Sequence, residues 1–192
     1  MPPLVSIDAE TFQVEVALAY AGPDNFTGRP VYRPDAGCWL HADAVPLLRR
    51  AVALARPLGL RLRLLDAFRP AEAQWALWTH TPDPEFIADP RRGSLHSMGA
   101  ALDLDLIDGT SGLPLDMGTG FDAFTPKSHH GNQDIPPEAQ RNRHLLLGIM
   151  TSAGWDHYRN EWWHYQLFNL RAAYPLLSDS VLGPDGMMPR SS

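Results

Sequence analysis

The sequence predicts an α+β fold: one compact domain with a central antiparallel sheet flanked by helices. Three observations point to it. Two segments, 60–66 (LRLRLLD) and 101–107 (ALDLDLI), alternate apolar and polar residues with the period of two expected of half-buried strands. Helical periodicities and loops, not short hairpin turns, separate the strand candidates. None of the candidates is the continuous apolar run that a doubly covered parallel sheet requires.

The elements follow in order. A helix begins after Asp43, a good N-cap, and runs over residues 44–58, with Pro46 in its first turn and Gly59 as its stop. Its apolar face is Val45, Leu48, Val52 and Ala55. In 60–66 the leucines 60, 62 and 64 take one face and Arg61 and Arg63 the other. A second helix follows Pro70 over 71–80, with Trp75 and Trp78, three apart, expected to pack inward. In 101–107, Leu102, Leu104 and Leu106 face the core and Asp103 and Asp105 face away. Residues 108–135 are turn-rich and aperiodic, and read as the rim or lid of a site. A third helix fits 137–153, opened by proline and closed by Gly154, burying Leu145, Leu146, Ile149 and Met150. The aromatic density of 162–168 (WWHYQLF) suggests a strand, and the two acid- and histidine-bearing strands are expected side by side. From Leu182 the polar, turn-forming tail is expected to be loose.

Composition narrows the function. At 192 residues and 44% apolar content the chain can bury a full core as one domain (1–192, core about 4–180, tail 182–192). Its one cysteine, Cys38, rules out a disulfide scaffold and suits a reducing compartment. With 16 Lys+Arg against 22 Asp+Glu, net −6, the chain lacks the clustered positive charge that binds phosphate backbones. The N-terminus shows neither the basic nor the apolar region of a signal peptide, and no run approaches the ~20 apolar residues of a membrane span. The expectation is a cytoplasmic protein acting on a small molecule, with no nucleic-acid or membrane partner.

Three strings carry chemistry. In 94–103 (SLHSMGAALD) a histidine in a Ser- and Gly-containing turn precedes an acid on a strand. Positions seven apart on one strand point to opposite faces, but Gly99 permits the bend that lets His96 and Asp103 converge on one cation. In 161–165 (EWWHY) Glu161 precedes His164 by three. Two histidines, one ligating carboxylate and one free carboxylate are the parts of a hydrolytic zinc site: three ligands leave a position open for water, and the free acid takes the water's proton. In 66–70 (DAFRP), Arg69 offers a rigid fork to an oxyanion or a carboxylate, restrained by Pro70. Each residue also has a bland reading. Asp103 and Asp105 alone are more often a solvated strand face, His164 a packed strand histidine, and Arg69 a surface ion pair. The two histidine strings together in one short chain favour the functional reading. His129 and His130, adjacent in the loop, read as packing residues, as do His41, His80, His144 and His157.

These strings resemble those of the D-alanyl-D-alanine dipeptidases, zinc enzymes whose best-known members accompany vancomycin resistance. The likeness extends to Tyr20-Ala21, 24–28 (DNFTG), Met117-Gly118, Phe121-Asp122 and 128–130 (SHH), and covers roughly residues 20–168. The resemblance implies the compact α+β fold shared with D-Ala-D-Ala carboxypeptidases and hedgehog signalling domains. It implies one zinc ion per chain on His96, Asp103 and His164, Glu161 as general base and Arg69 as stabiliser of the tetrahedral intermediate. It further implies Asp122 as holder of the substrate ammonium, and Ser94 and Tyr20 as polar groups near the dipeptide. The chain departs from the pattern at Gly22-Pro23 and at Asp105, an extra acid that would alter hydrogen bonding around the ligands.

The leading reading is a zinc dipeptidase acting on D-Ala-D-Ala and similar D,D-dipeptides, serving antibiotic resistance or D-alanine salvage. The alternatives are a D,D- or L,D-carboxypeptidase on peptidoglycan stems and a noncatalytic zinc-binding module of the same fold. The module needs neither Glu161 nor Arg69, so those two residues favour an enzyme. Oligomeric state is left open by the sequence, a homodimer included.

Overall fold

The structure, a computed structural model, describes residues 4–168 and 174–190. In chain order it contains β1 (Leu4–Ser6), α1 (Ala9–Phe12), β2 (Glu15–Val16), β3 (Trp39–His41), α2 (Val45–Ala55), β4 (Leu60–Asp66), α3 (Ala71–His80), β5 (Ala101–Asp108), α4 (Pro137–Ala153), β6 (Asp156–His157) and β7 (His164–Gln166), linked by loops and 3-10 turns. Five strands form one sheet in the order β2-β4-β5-β7-β6, and β1 and β3 form a separate pair. The fold is α+β, as the sequence predicts, with one departure: β2 runs parallel to β4 at the sheet edge. The chain between them crosses over through β3 and α2, the long connection a parallel neighbour needs.

The period-two pattern holds on both central strands. Leu62, Leu64, Leu102, Leu104 and Leu106 are fully buried, in one hydrophobic cluster with Leu48, Ala51 and Ala55 of α2 and Leu146, Ile149 and Met150 of α4. Alternation then sends Asp103 and Asp105 to the opposite face, where the polar chemistry collects. β5 pairs directly with β7 and sets Asp103 opposite His164.

Several expectations are corrected. On α3 the buried residues are Ala73, Gln74 and Leu77, whereas Trp75 is 48% exposed. Trp75 lies off the stripe that meets the core, whereas Trp78 is half-buried and packs against it as expected. On α4, Leu145 is exposed for the same reason, and Ala139, Arg143, Leu146, Ile149, Met150 and Ala153 face inward. α2 is capped at Ala44 without a side-chain bond, while the Asp43 carboxylate accepts from Tyr174 Oη. The expected strand over 162–168 shrinks to His164–Gln166, because both tryptophans lie in a turn and Phe168 is exposed. The tail from Leu182 is not loose. Leu182 and Met187 are buried, the Arg33 N–H donates to the Met187 carbonyl at 2.7 Å, and Asp179 accepts from the Met187 N–H at 2.6 Å. Two apolar anchors outweigh its turn-forming composition; residues 191–192 of that tail lie outside the described residues. No described helix is long and apolar enough to cross a membrane.

Candidate active site

The site forms where three short pieces of backbone meet. His96 opens a 3-10 turn (His96–Met98) that Gly99 closes at φ +69° before β5 begins. A Cβ on Gly99 would lie 2.6 Å from the Leu4 side chain and 3.1 Å from the His41 backbone nitrogen, so glycine is required both by conformation and by space. This is the bend that turns His96 towards Asp103. The segment after β4 locks against the same turn: the Arg69 N–H donates to the His96 carbonyl at 3.1 Å, and His96 Nδ1 lies 2.7 Å from the Ala67 carbonyl. That carbonyl can only accept, so Nδ1 carries the proton and the Nε2 lone pair faces the site.

Three side chains converge there, the two oxygens of Asp103 facing one histidine each. His96 Nε2 is 3.1 Å from His164 Nδ1, His164 Nδ1 is 3.1 Å from Asp103 Oδ1, and His96 Nε2 is 3.3 Å from Asp103 Oδ2. Bonds of ~2.0–2.1 Å at tetrahedral angles put ligand atoms about 3.3 Å apart, so the triangle has the size of one face of a zinc tetrahedron. It is also the one group of His, Cys, Asp and Glu able to hold a metal among the described residues. Burial opposes ionisation of Asp103, but His96 and His164 outweigh it and hold the carboxyl well below the usual range.

Glu161 stands apart from this triangle. Its Oε2 is 3.9 Å from His164 Nδ1, and its carboxyl accepts no side-chain hydrogen bond among the described residues. Burial, and then the charge of Asp103, push it well above the ordinary glutamate value, with Arg69 opposing. A buried carboxyl poised to carry a proton suits a general base. The tryptophans between Glu161 and His164 anchor the turn. Trp162 Nε1 donates to Thr119 Oγ1 at 2.8 Å, and Trp163 packs edge-on against Phe121 with ring centroids 5.5 Å apart.

Arg69 is buried and held on three sides. Its Nε donates to Asp66 Oδ2 at 2.8 Å, Nη1 to Gln74 Oε1 at 3.0 Å and Nη2 to Asp103 Oδ2 at 3.3 Å, and the guanidinium lies over the Tyr20 ring. Tyr32 Oη steadies Asp66 from behind at 2.9 Å. Of the five N–H groups of a guanidinium, two remain on a side chain that lines the cavity.

The rim carries the remaining expected residues. Tyr20 Oη donates to Asp122 Oδ2 at 2.7 Å, and Asp122 sits in the left-handed region at φ +55°. Such a conformation in a non-glycine residue is costly and persists only where the surroundings enforce it. Burial first, then Asp103, raise the Asp122 carboxyl well above the usual range, with Tyr20 pulling the other way. Ser94 is buried and accepts the His96 N–H at 3.3 Å. All eight expected residues line one cavity of about 180 Å³.

The rim loop is pinned from beneath by Arg143 of α4, which donates to the carbonyls of Met117 (2.6 Å) and Lys127 (2.7 Å) and to Thr119 Oγ1 (3.3 Å). Burial lowers Arg143 to about 10. Sequence reasoning missed this residue, as it missed Asp66, Tyr32, Gln74 and Gln166. Asp66 and Gln166 had a signal, since they lie three and two residues from Arg69 and His164; the others had none. Asp105, expected near the ligands, instead forms a two-bond pair with Arg63, its cross-strand neighbour on β4. His130 packs against His157 and Tyr165, consistent with a structural role.

Comparison with known proteins places the chain among its relatives. A family model described as D-Ala-D-Ala dipeptidase, peptidase M15, matches residues 3–178. The D-alanyl-D-alanine dipeptidase of Escherichia coli (strain K12) is 46% identical over 166 residues, 86% of this chain and 84% of that protein. Those of Enterococcus faecalis (strain ATCC 700802 / V583) and Streptomyces coelicolor (strain ATCC BAA-471 / A3(2) / M145) are 34% and 36% identical, covering 78% and 77% of this chain and 84% and 83% of theirs.

Proposed function

Because the chain belongs to the peptidase M15 family of D-Ala-D-Ala dipeptidases, we propose that it hydrolyses D-alanyl-D-alanine and similar small D,D-dipeptides, with one zinc ion per chain on His96 Nε2, Asp103 and His164 Nδ1. The observation that carries the reading is the zinc-sized triangle of donors in one small cavity with an unengaged buried glutamate and a pinned arginine. Zinc held there supplies Lewis acidity, polarising the scissile carbonyl and lowering the pKa of water from ~15.7 towards ~7. Glu161 accepts the proton released by the attacking water and delivers it to the leaving nitrogen as the C–N bond breaks. The two uncommitted N–H groups of Arg69 meet the oxyanion as its charge develops, and three fixed partners keep the fork from reorganising. Asp122, on the rim, receives the ammonium of the free dipeptide, with Tyr20 and Ser94 as nearby polar groups.

A cavity of about 180 Å³, small beside the ~300–1,000 Å³ of sites for drug-sized ligands, suits a small substrate such as a free dipeptide. Every residue named comes from one chain, so the reading needs no partner subunit, nucleic acid or membrane. A cytoplasmic site of action suits the single buried thiol of Cys38.

The test is release of free D-alanine from D-Ala-D-Ala by the purified protein before chelation, after it, and after zinc is returned. Activity lost and restored in that sequence is expected. A zinc-loaded protein that releases no D-alanine overturns the reading.

A further inference from the structure

Gln166 lies two residues beyond His164 on β7, so both side chains emerge on one face of the strand. Its Oε1 is 3.1 Å from His164 Nε2, the imidazole nitrogen turned away from Asp103 and His96. Its Nε2 donates to Asp156 Oδ2 at 3.4 Å, and Asp156 is the residue opposite Gln166 in the β6–β7 pairing.

The chemistry of these groups allows one polarity. A carboxylate only accepts, so the amide gives its NH2 to Asp156 and its oxygen to His164. The imidazole must then carry a proton at Nε2, so the nitrogen left to offer a lone pair to a bound cation is Nδ1, 3.1 Å from both Asp103 Oδ1 and His96 Nε2. A flipped amide sets its oxygen against the Asp156 carboxylate, and that bond fails. His96 obtains the equivalent control from a backbone carbonyl, that of Ala67, which no substitution removes. His164 depends on a side chain.

We propose that Gln166, oriented by Asp156, is a positioning residue that fixes the tautomer of His164 and so sets the metal affinity of the site. This role rests on the zinc-site reading above. It also gives a purpose to β6, a two-residue edge strand: it places the acid that settles which way the amide points.

Zinc affinity of the full chain, measured by competition with a chromophoric chelator, tests it. Gln166→Leu keeps the volume but cannot accept the Nε2 proton, and zinc binding is expected to weaken 10–100-fold. Asp156→Leu should weaken it by less, and should add nothing in the Gln166→Leu background. The double variant Asp156→Asn/Gln166→Glu restores an acceptor for His164 and a donor for that acceptor, and is expected to bind zinc at least as tightly as the unaltered protein. A second readout does not use metal. Nitrogen-15 NMR of the metal-free protein should show a hydrogen-bonded proton on His164 Nε2, with that signal lost in Gln166→Leu.

Unaltered zinc affinity in Gln166→Leu overturns the proposal. So does a tenfold loss in the Asp156→Asn/Gln166→Glu pair, which decides the matter if Gln166→Leu melts prematurely. His164→Ala separates the two readings: if it binds zinc as well as the unaltered protein, the zinc site itself is misassigned, whereas loss there with none in Gln166→Leu overturns the role of Gln166 alone.

Discussion

The metal triangle and the rim hold their functional groups in different ways. Asp103 and His164 face each other across a strand ladder, and His96 leaves a turn whose backbone is bonded to the segment after β4. Moving Asp103 or His164 means breaking main-chain hydrogen bonds within the sheet, and moving His96 means breaking those of its turn. Asp122 instead stands on a loop with little regular structure, held by side chains that reach in from elsewhere: Arg143 from beneath, Trp162 through Thr119, and Tyr20 at the carboxylate itself. Geometry imposed by backbone pairing survives single substitutions around it. Geometry imposed by side-chain tethers fails one tether at a time, which is also how it can be tuned.

The largest effects should come from the strand-held side. His164→Ala removes one of three ligands and is expected to abolish stoichiometric zinc and turnover together, as metal analysis and D-alanine release would show. Full zinc in that variant removes His164 from the ligand set. Glu161→Gln separates base from ligand: zinc content is expected to stay at one per chain while kcat falls by ~10²–10⁴. Near-normal turnover would make Glu161 structural.

Smaller effects follow as the contacts become less central. Arg69→Lys replaces a fork held at three points by a point charge on a flexible stem. Its defect should appear in kcat more than in KM, because the charge it meets develops in the transition state. A change in KM alone would reassign Arg69 to the substrate carboxylate. Arg143→Met cuts the rim's principal tether and leaves the Met117 and Lys127 carbonyls without their donor, at a cost of about 2–4 kcal/mol in stability. The contrast between the two regions predicts raised KM with zinc content unchanged. Lost zinc in Arg143→Met would show that rim and triangle are one mechanical unit.

The same contrast explains what could be read in the sequence. The period-two pattern of 60–66 and 101–107 and the stops at Gly59 and Gly154 report backbone structure through local chemistry and hold, except that 101–107 is buried on both faces and the last turn before Gly59, Arg56–Leu58, is 3-10. The bend at Gly99 was legible because only glycine adopts it freely. Arg143 was not. On an apolar helix face it looks like an exposed neighbour of the core, and nothing local records that a loop folds back over it. Tyr32 acts through a contact distant in sequence and left no local trace, and Gln74, close to Arg69 in the chain, reads as an ordinary polar residue of α3. Trp75 misled because a large apolar residue implies burial only on average.

The smallest predicted effect concerns the rim's own charge. Asp122 has its carboxyl raised well above the usual range by burial and by Asp103. In the folded protein without substrate it therefore keeps a proton that the unfolded chain gives up near pH ~3.9. The native state then binds more protons than the unfolded one, and stability falls as pH climbs from that value through the raised one. Asp122→Asn removes this loss, since an amide oxygen can still accept from Tyr20, and the melting temperature of the metal-free variant should decline less towards neutral pH. A substrate ammonium acts in the opposite sense by favouring the ionised carboxyl. Binding of the free dipeptide must release a proton below the raised value, so KM for D-Ala-D-Ala should rise as pH is lowered through it. An N-acetylated dipeptide has no ammonium and should show no such slope. It also forfeits one charge-assisted contact of ~1.5–3 kcal/mol, so its kcat/KM should be at least ~10-fold lower. Asp122→Ala should narrow that gap by harming the free dipeptide more. If blocked and free substrates are cleaved equally and with the same pH dependence, Asp122 does not hold the ammonium and the site accepts longer chains.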